Sequence, residues 1–258
     1  MLKGAVNSPE CPKLPQVEGS ISEKELVAQE VFELELPDRT LLSGPSSRLR
    51  DLTTLIRVGK DLLTGFRTLH FAGPCVTIFG SARTKVGSRY YEMARQMGAA
   101  CARLGFTVVT GGGPGIMQAG NQGAFEAGGR SLGVNIELPF EQELNRYVQR
   151  SVTMRYFFTR KVVLVKYSYA FIILPGGSGT MDEMFETMTL IQTGKSRRRP
   201  ILLFGRAFWE KLINFQHLVD TGMISASDLD LFHFVETAEQ AWDKLAEHYG
   251  FAAGATAA

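Results

Sequence analysis

Five short apolar runs mark the middle of the chain, at residues 76–79, 106–110, 131–136, 169–174 and 200–204, with a weaker sixth at 232–235. Each has the length of a strand and is rich in Val, Ile, Leu and Phe. Each also lacks steady polar alternation, as a strand covered on both faces does. Between them, at 90–104, 116–127, 160–166, 181–192 and 207–221, apolar residues recur three and four positions apart, the period of a helix with one buried stripe. Strand and helix alternating in this way predict right-handed crossovers. The fold class is therefore α/β, a Rossmann-like doubly wound parallel sheet with helices on both faces.

The ends break the pattern. Residues 1–20, "MLKGAVNSPECPKLPQVEGS", are rich in Pro and polar groups and read as a flexible tail. Residues 21–70 read as an N-terminal helical extension, interrupted near Ser43-Gly44-Pro45. Its second helix, over 47–69, carries Leu49, Leu52, Leu55, Ile56, Val58, Leu62 and Leu63 as a broad apolar stripe. The sheet domain then occupies 71–250, and 251–258 read as a frayed tail.

Composition excludes several classes. The 258 residues suffice for one α/β domain with appendages, and 45% apolar with 21% charged residues is ordinary for a globular protein. A net charge of +2 makes no electrostatic case for nucleic acid or an anionic membrane. The basic run Ser196-Arg197-Arg198-Arg199-Pro200 is short and isolated, and reads as a solvated loop entering a strand. No apolar run spans a bilayer and no secretory leader is visible. Cys11, Cys75 and Cys101 form no metal spacing, and the four histidines form no HxxxH or HExxH pattern. No metal is expected. The cysteines read as free thiols in a reducing cytoplasm.

The glycines are more informative. In a doubly wound sheet, ligands bind outside the carboxyl ends of the strands. Three glycine-rich turns fall there: Gly80-Ser81-Ala82-Arg83, Gly111-Gly112-Gly113-Pro114-Gly115, and Gly176-Gly177-Ser178-Gly179-Thr180. Each offers backbone donors without side-chain obstruction, and bare N–H groups at a helix start make an anion site, most often for phosphate. The dinucleotide fingerprint GxGxxG fails because Ile116 stands where its third glycine belongs. Thr193-Gly194-Lys195-Ser196 ends like a phosphate-binding Walker loop, but its first glycine would be Thr189. Neither NAD nor ATP hydrolysis is supported.

Carboxylates sit beside the third turn. Thr180 stands where a helix N-cap belongs, and Glu183 three residues later completes a capping box, a purely local role. Asp182, Glu183 and Glu186 would nevertheless repel a phosphate unless a cation joins them or they hold another part of the ligand. "MRYFFTRK" supplies Arg160 and Lys161. Lys161 reads most simply as a solvated flank, and Arg160 as either bland or reaching the crevice.

Pro175-Gly176-Gly177-Ser178-Gly179-Thr180-Met181-Asp182-Glu183 matches every fixed position of PGGxGTxxE, with Arg160-Lys161 at the companion motif. From about Gly73 to Gly205, including Gly80-Ser81 and the loop at 111–117, the chain resembles the LONELY GUY (LOG) family. These are cytokinin riboside 5′-monophosphate phosphoribohydrolases, often mislabelled lysine decarboxylases. The resemblance implies a nucleotide-binding catalytic domain at 71–250 that cleaves the N-glycosidic bond of a purine nucleoside 5′-monophosphate. Glu183 and Arg160 would be catalytic, with Ser81, Gly112, Gly113, Gly115, Gly176, Gly177, Ser178, Gly179, Thr180 and Lys161 holding the substrate. It implies no cofactor, no nucleic-acid or membrane partner, and at least a homodimer. Phe157 stands where the short form carries methionine, which leaves the base modification open. The alternative is a nucleotide or cofactor carrier of the same fold without turnover. Pyridoxal phosphate chemistry finds no Schiff-base lysine with a ring-nitrogen partner.

Overall fold

The structure is a computed structural model describing residues 36–138 and 143–250. The tail expected at 1–20, the first part of the helical extension and the tail at 251–258 lie outside the described residues.

All seven strands are parallel, in the order β4-β3-β2-β1-β5-β6-β7. They are β1 (Cys75–Phe79), β2 (Thr107–Thr110), β3 (Ser131–Ile136), β4 (Arg150–Met154), β5 (Ser168–Ile173), β6 (Ile201–Phe204) and β7 (His233–Val235). The chain winds outward from β1 to β4, then crosses back to set β5 on the other flank of β1. That reversal makes the β1/β5 boundary the switch point where such sheets bind ligands.

The apolar runs explain the sheet's interior. Successive side chains point to opposite faces, so Phe79, Phe171, Ile173 and Leu203 enter one core layer, while Val76, Ile78, Ile172 and Leu202 enter the other. The central strands β1 and β2 are buried throughout. Two helices, α3 (Arg89–Arg103) and α4 (Ile116–Glu126), pack on the second layer through Tyr91, Ala94, Met97, Ile116 and Ala119. Their contact is close because a Cβ on Gly98 would stand 2.1 Å from the Gly120 carbonyl oxygen. A final helix, α9 (Ala238–Tyr249), buries Ala241 and Leu245 in the same layer.

The six expected strands are present, and the structure adds β4. Its sequence RSVTM buries only Val152 and Met154, so an edge strand with one apolar side gives no continuous apolar run. The helix expected at 207–221 is two, α7 (Arg206–Leu212) and α8 (Phe215–Asp220). They part where Ile213 is extended and the Asn214 side chain accepts from the His217 N–H.

The helix expected at 47–69 is present as α2 (Arg48–Leu69), following a short α1 (Pro37–Leu42), but it buries an unexpected face. Leu49, Leu52, Leu55, Ile56 and Leu63 of the apolar stripe are at least half exposed, while Asp61, Gly65 and Leu69 face inward. Gly65 admits Val163 and Met154. The Asp61 carboxylate accepts from the Arg155 backbone N–H at 2.7 Å and the Arg155 guanidinium at 2.9 Å. No described helix is long and apolar enough to cross a membrane.

Candidate active site

The three glycine turns meet at Ser81. Its backbone N–H donates to the Pro175 carbonyl at 3.1 Å, and its own carbonyl accepts from the Ile116 N–H at 3.0 Å. The first turn is thereby tied to the third and to the start of α4. Gly115 (φ 66°) is required here, since a Cβ would stand 2.3 Å from the Ser81 oxygen.

The second turn is held from below. Asn145 donates through Nδ2 to the carbonyls of Gly112 and Gly113 at 3.0 Å each, and its backbone N–H reaches Gly112 O at 2.8 Å. Thr110 Oγ1 accepts from the Gly112 N–H and donates to buried Asn121, which continues to Ser131. Asn145, Asn121 and Thr110 were not among the sequence candidates. Lone buried amides carry no spacing signal, although Asn121 does lie on the apolar side of its helix.

Behind the third turn, α6 (Ser178–Gln192) starts earlier than the sequence predicts. Gly177 occupies the N-cap position and has no side chain to cap the helix, leaving the first-turn N–H groups available to an anion. Thr180 is therefore the third helical residue, not the cap, and the expected capping box does not form. Its side chain instead leans back on Gly176, where a Cβ would stand 2.1 Å from Thr180 Oγ1.

Freed from that local role, Glu183 lies one turn further along α6, buried, with Oε2 lacking any hydrogen-bond partner. Its Oε1 is 3.7 Å from a guanidinium nitrogen of Arg160, too long for a hydrogen bond. Arg160 comes from α5 (Phe157–Tyr167), where it is the fourth residue and not the first as the sequence pattern suggests. Its Nε donates to the Val134 carbonyl at 2.9 Å. The guanidinium passes over Gly111, where a Cβ would stand 2.3 Å from it. Burial raises the Glu183 pKa to about 7, with Arg160 and Lys161 pulling it down and Glu186 and Asp182 pushing it up. Burial also lowers the Arg160 pKa, against the effect of Glu183.

Lys161 is not a solvated flank. Its side chain is largely covered, and Nζ lies 2.8 Å from Asp182 and 2.9 Å from Glu186. Burial depresses its pKa, but the two carboxylates outweigh that and hold it above the usual lysine value. So Ser81 bonds to Pro175 and meets Gly115, Gly176 packs against Thr180, Gly112 and Gly113 are pinned by Asn145, and Arg160 and Glu183 face one another. Lys161 serves the rim of α6. Elsewhere, a groove of about 700 Å³ near His233 and Lys244 takes none of these residues in its lining.

Comparison with known proteins matches residues 117–245, half of the chain, to a family model described as "Possible lysine decarboxylase". The cytokinin riboside 5′-monophosphate phosphoribohydrolase of Rhodococcoides fascians is 29% identical over 154 residues, covering 58% of this chain and 78% of that protein. Its namesake in Mycobacterium tuberculosis is 30% identical over 153 residues, covering 58% and 82%. The chain belongs to the LOG family. Among solved structures, the molybdenum cofactor carrier protein of Chlamydomonas reinhardtii superposes with a TM-score of 0.52 at 22% identity, over 69% of this chain and 98% of that one. That likeness is one of fold. The decarboxylase description would require an amine free to form a Schiff base, and Lys161 is held charged between two carboxylates. Pyridoxal phosphate does not fit these residues.

Proposed function

We propose that the protein hydrolyses the N-glycosidic bond of purine nucleoside 5′-monophosphates, releasing free base and ribose 5-phosphate. The observation carrying this reading is Glu183: a buried carboxylate with a near-neutral pKa and one unpartnered oxygen, one turn beyond an uncapped, glycine-rich helix start. The 5′-phosphate binds the first-turn N–H groups at Ser178, Gly179 and Thr180, with Ser81, Gly176, Gly177 and the loop of Gly112, Gly113 and Gly115 closing around it. From there the ribose reaches Glu183, about 5 Å further along the axis. As the C1′–N bond breaks, positive charge develops on the ribose ring, and the ionised carboxylate stabilises it. Glu183 then takes the proton of the water that attacks C1′, while the departing base nitrogen keeps the bonding electrons and is protonated from solvent. Arg160, held by Val134, keeps the carboxylate aimed and offsets its charge. Lys161 supports the phosphate-binding face through Asp182 and Glu186.

Phe157 lies one turn before Arg160 on α5 and is partly exposed, so it is the residue we assign to the base. Both AMP and isopentenyladenosine monophosphate are within the proposed class. We also read the protein as a cytoplasmic homodimer. Buried free thiols at Cys75 and Cys101 suit a reducing compartment, and the exposed stripe of α2 suits self-association.

The test is incubation with both nucleotides, following base and ribose 5-phosphate by chromatography, beside a Glu183→Gln variant. Base release that vanishes in the variant supports the hydrolase. Tight binding of both nucleotides without release overturns it in favour of a carrier.

A further inference from the structure

The basic run at 196–199 is not simply a solvated loop. Parallel strands place it at the amino edge of the sheet, opposite the glycine turns. There an open groove of about 420 Å³ forms between the starts of β5 and β6 and the ends of α5 and α9. Lys166, Arg197, Arg198, Arg199 and His248 line it together with Tyr169 and Tyr249, and no carboxylate is among the described lining residues.

Helix dipoles explain part of this charge. The carboxyl ends of α5 and α9 favour nearby cations, and Arg199 donates to the Val165 carbonyl at 2.6 Å. Arg198 similarly holds the Asp230 carbonyl. Each guanidinium carries five donors, so these bonds fix the two arginines in place and leave most of their donors directed elsewhere. Lys166 is steadied too, with Nζ 5.2 Å from the centroid of Phe66 and 5.8 Å from that of Tyr167. Burial and the neighbouring Arg197 lower the Arg199 pKa. Cations gathered with no carboxylate among the described lining residues suit a multiply charged anion, and guanidinium groups suit phosphate in particular.

We propose that this groove is a second binding site, separate from the glycine crevice, for an oligophosphate group. The oligophosphate is either free or carried by a nucleotide whose base lies on the Tyr169 ring. Tyr169 is about half exposed, and its ring centroid is 6.1 Å from that of Tyr249. The groove stands independently of the activity proposed above, and only the AMP arm of its test rests on that reading. Val165 and Lys166 do end the helix that carries Arg160, about two turns away, so occupancy has a direct route to the crevice.

Isothermal titration of the full-length protein with tripolyphosphate and, separately, ATP tests the site. The runs are repeated on Glu183→Gln protein saturated with AMP, which occupies the crevice without turnover. Binding is expected to persist under AMP. It should weaken at least tenfold in a Lys166→Glu, Arg197→Glu variant, and stay within twofold in Lys166→Arg, Arg197→Lys. Base release from AMP should be unchanged in both variants. ATP tighter than tripolyphosphate identifies a nucleotide as the source, while equal affinities identify free oligophosphate. Should the double reversal fail to fold, as judged by circular dichroism, Arg197→Glu alone is expected to weaken binding about threefold. Unaltered affinity in a folded charge-reversed variant, or complete displacement by AMP, overturns the proposal.

Discussion

Two neighbouring residues on α5 meet two carboxylate sets on α6, and the pairs are opposite in character. Lys161 closes on Asp182 and Glu186 at 2.8 and 2.9 Å near the rim, with Asp182 half exposed. Glu183 is buried more deeply than Asp182 or Glu186, yet it stands 3.7 Å from Arg160, and one of its oxygens has no partner. A pair built for stability would be closed where desolvation costs most, because a loose buried pair recovers little of that cost. The rim pair is closed and ordinary. The buried pair is open and leaves a carboxylate titrating at about 7. The contrast supports the catalytic role proposed for Glu183, since a carboxylate closely paired for stability is driven below its unfolded pKa, not above it.

The largest expected effect comes from removing that charge. Glu183→Gln should lower base release by about 10²–10⁴-fold with a normal circular dichroism spectrum. The wild-type rate should rise with pH through about 7, because the ionised form does the work. A rate falling through 7 would instead make Glu183 the acid that protonates the leaving base. Stability runs the other way. The folded pKa is raised from 4.5 to about 7, so the Glu183 contribution is fully present below 4.5 and is lost as pH rises through about 7. Denaturant unfolding at pH 5 and pH 8 should show the Gln variant gaining on wild type by on the order of 1–3 kcal/mol at the higher pH.

Arg160→Ala comes next. It should cost about 10–100-fold in rate, by leaving Glu183 unaimed. It should also move the midpoint of the pH–rate profile upward, because Arg160 lowers the Glu183 pKa. A lost rate with an unmoved midpoint would make Arg160 a substrate ligand and not a partner of the carboxylate. Gly111→Ala approaches the same pair indirectly. The added Cβ would lie 2.3 Å from the guanidinium and 2.7 Å from Met117 Sδ, so Arg160 must shift. We expect about a tenfold loss of kcat with KM little changed.

Much of this was legible in the sequence. Unbroken apolar runs gave the buried strands, and glycines at their carboxyl ends marked the crevice, because both features follow from local backbone and burial demands. The edge strand β4 and the break at Ile213-Asn214 were not legible, since a half-exposed strand and a side-chain cap leave no periodic trace. In α2, periodicity gave the helix but not which face it buries: Asp61 and Gly65 face inward because of Arg155 and Val163, partners about a hundred residues away. At the site, spacing suggested a capping box at Thr180 and Glu183. Only the packing of Thr180 against Gly176 and the earlier start of α6 release the carboxylate from it.

The smallest effect should come from the rim. Lys161→Met removes a cation close to two carboxylates, so by the distances alone it disrupts the better salt bridge. Asp182 is about half exposed, however, and water can resolvate it once the lysine is gone. Glu186 is more covered and bears most of the loss. The cost should be about 1 kcal/mol in denaturant unfolding, falling further as salt is added. Lys161 also lowers the Glu183 pKa, less than Arg160 does, so the pH–rate midpoint should rise slightly while the maximal rate changes by less than about threefold. A rate loss as large as that of Arg160→Ala would erase the distinction between the closed pair and the open one, and would place Lys161 on the substrate itself.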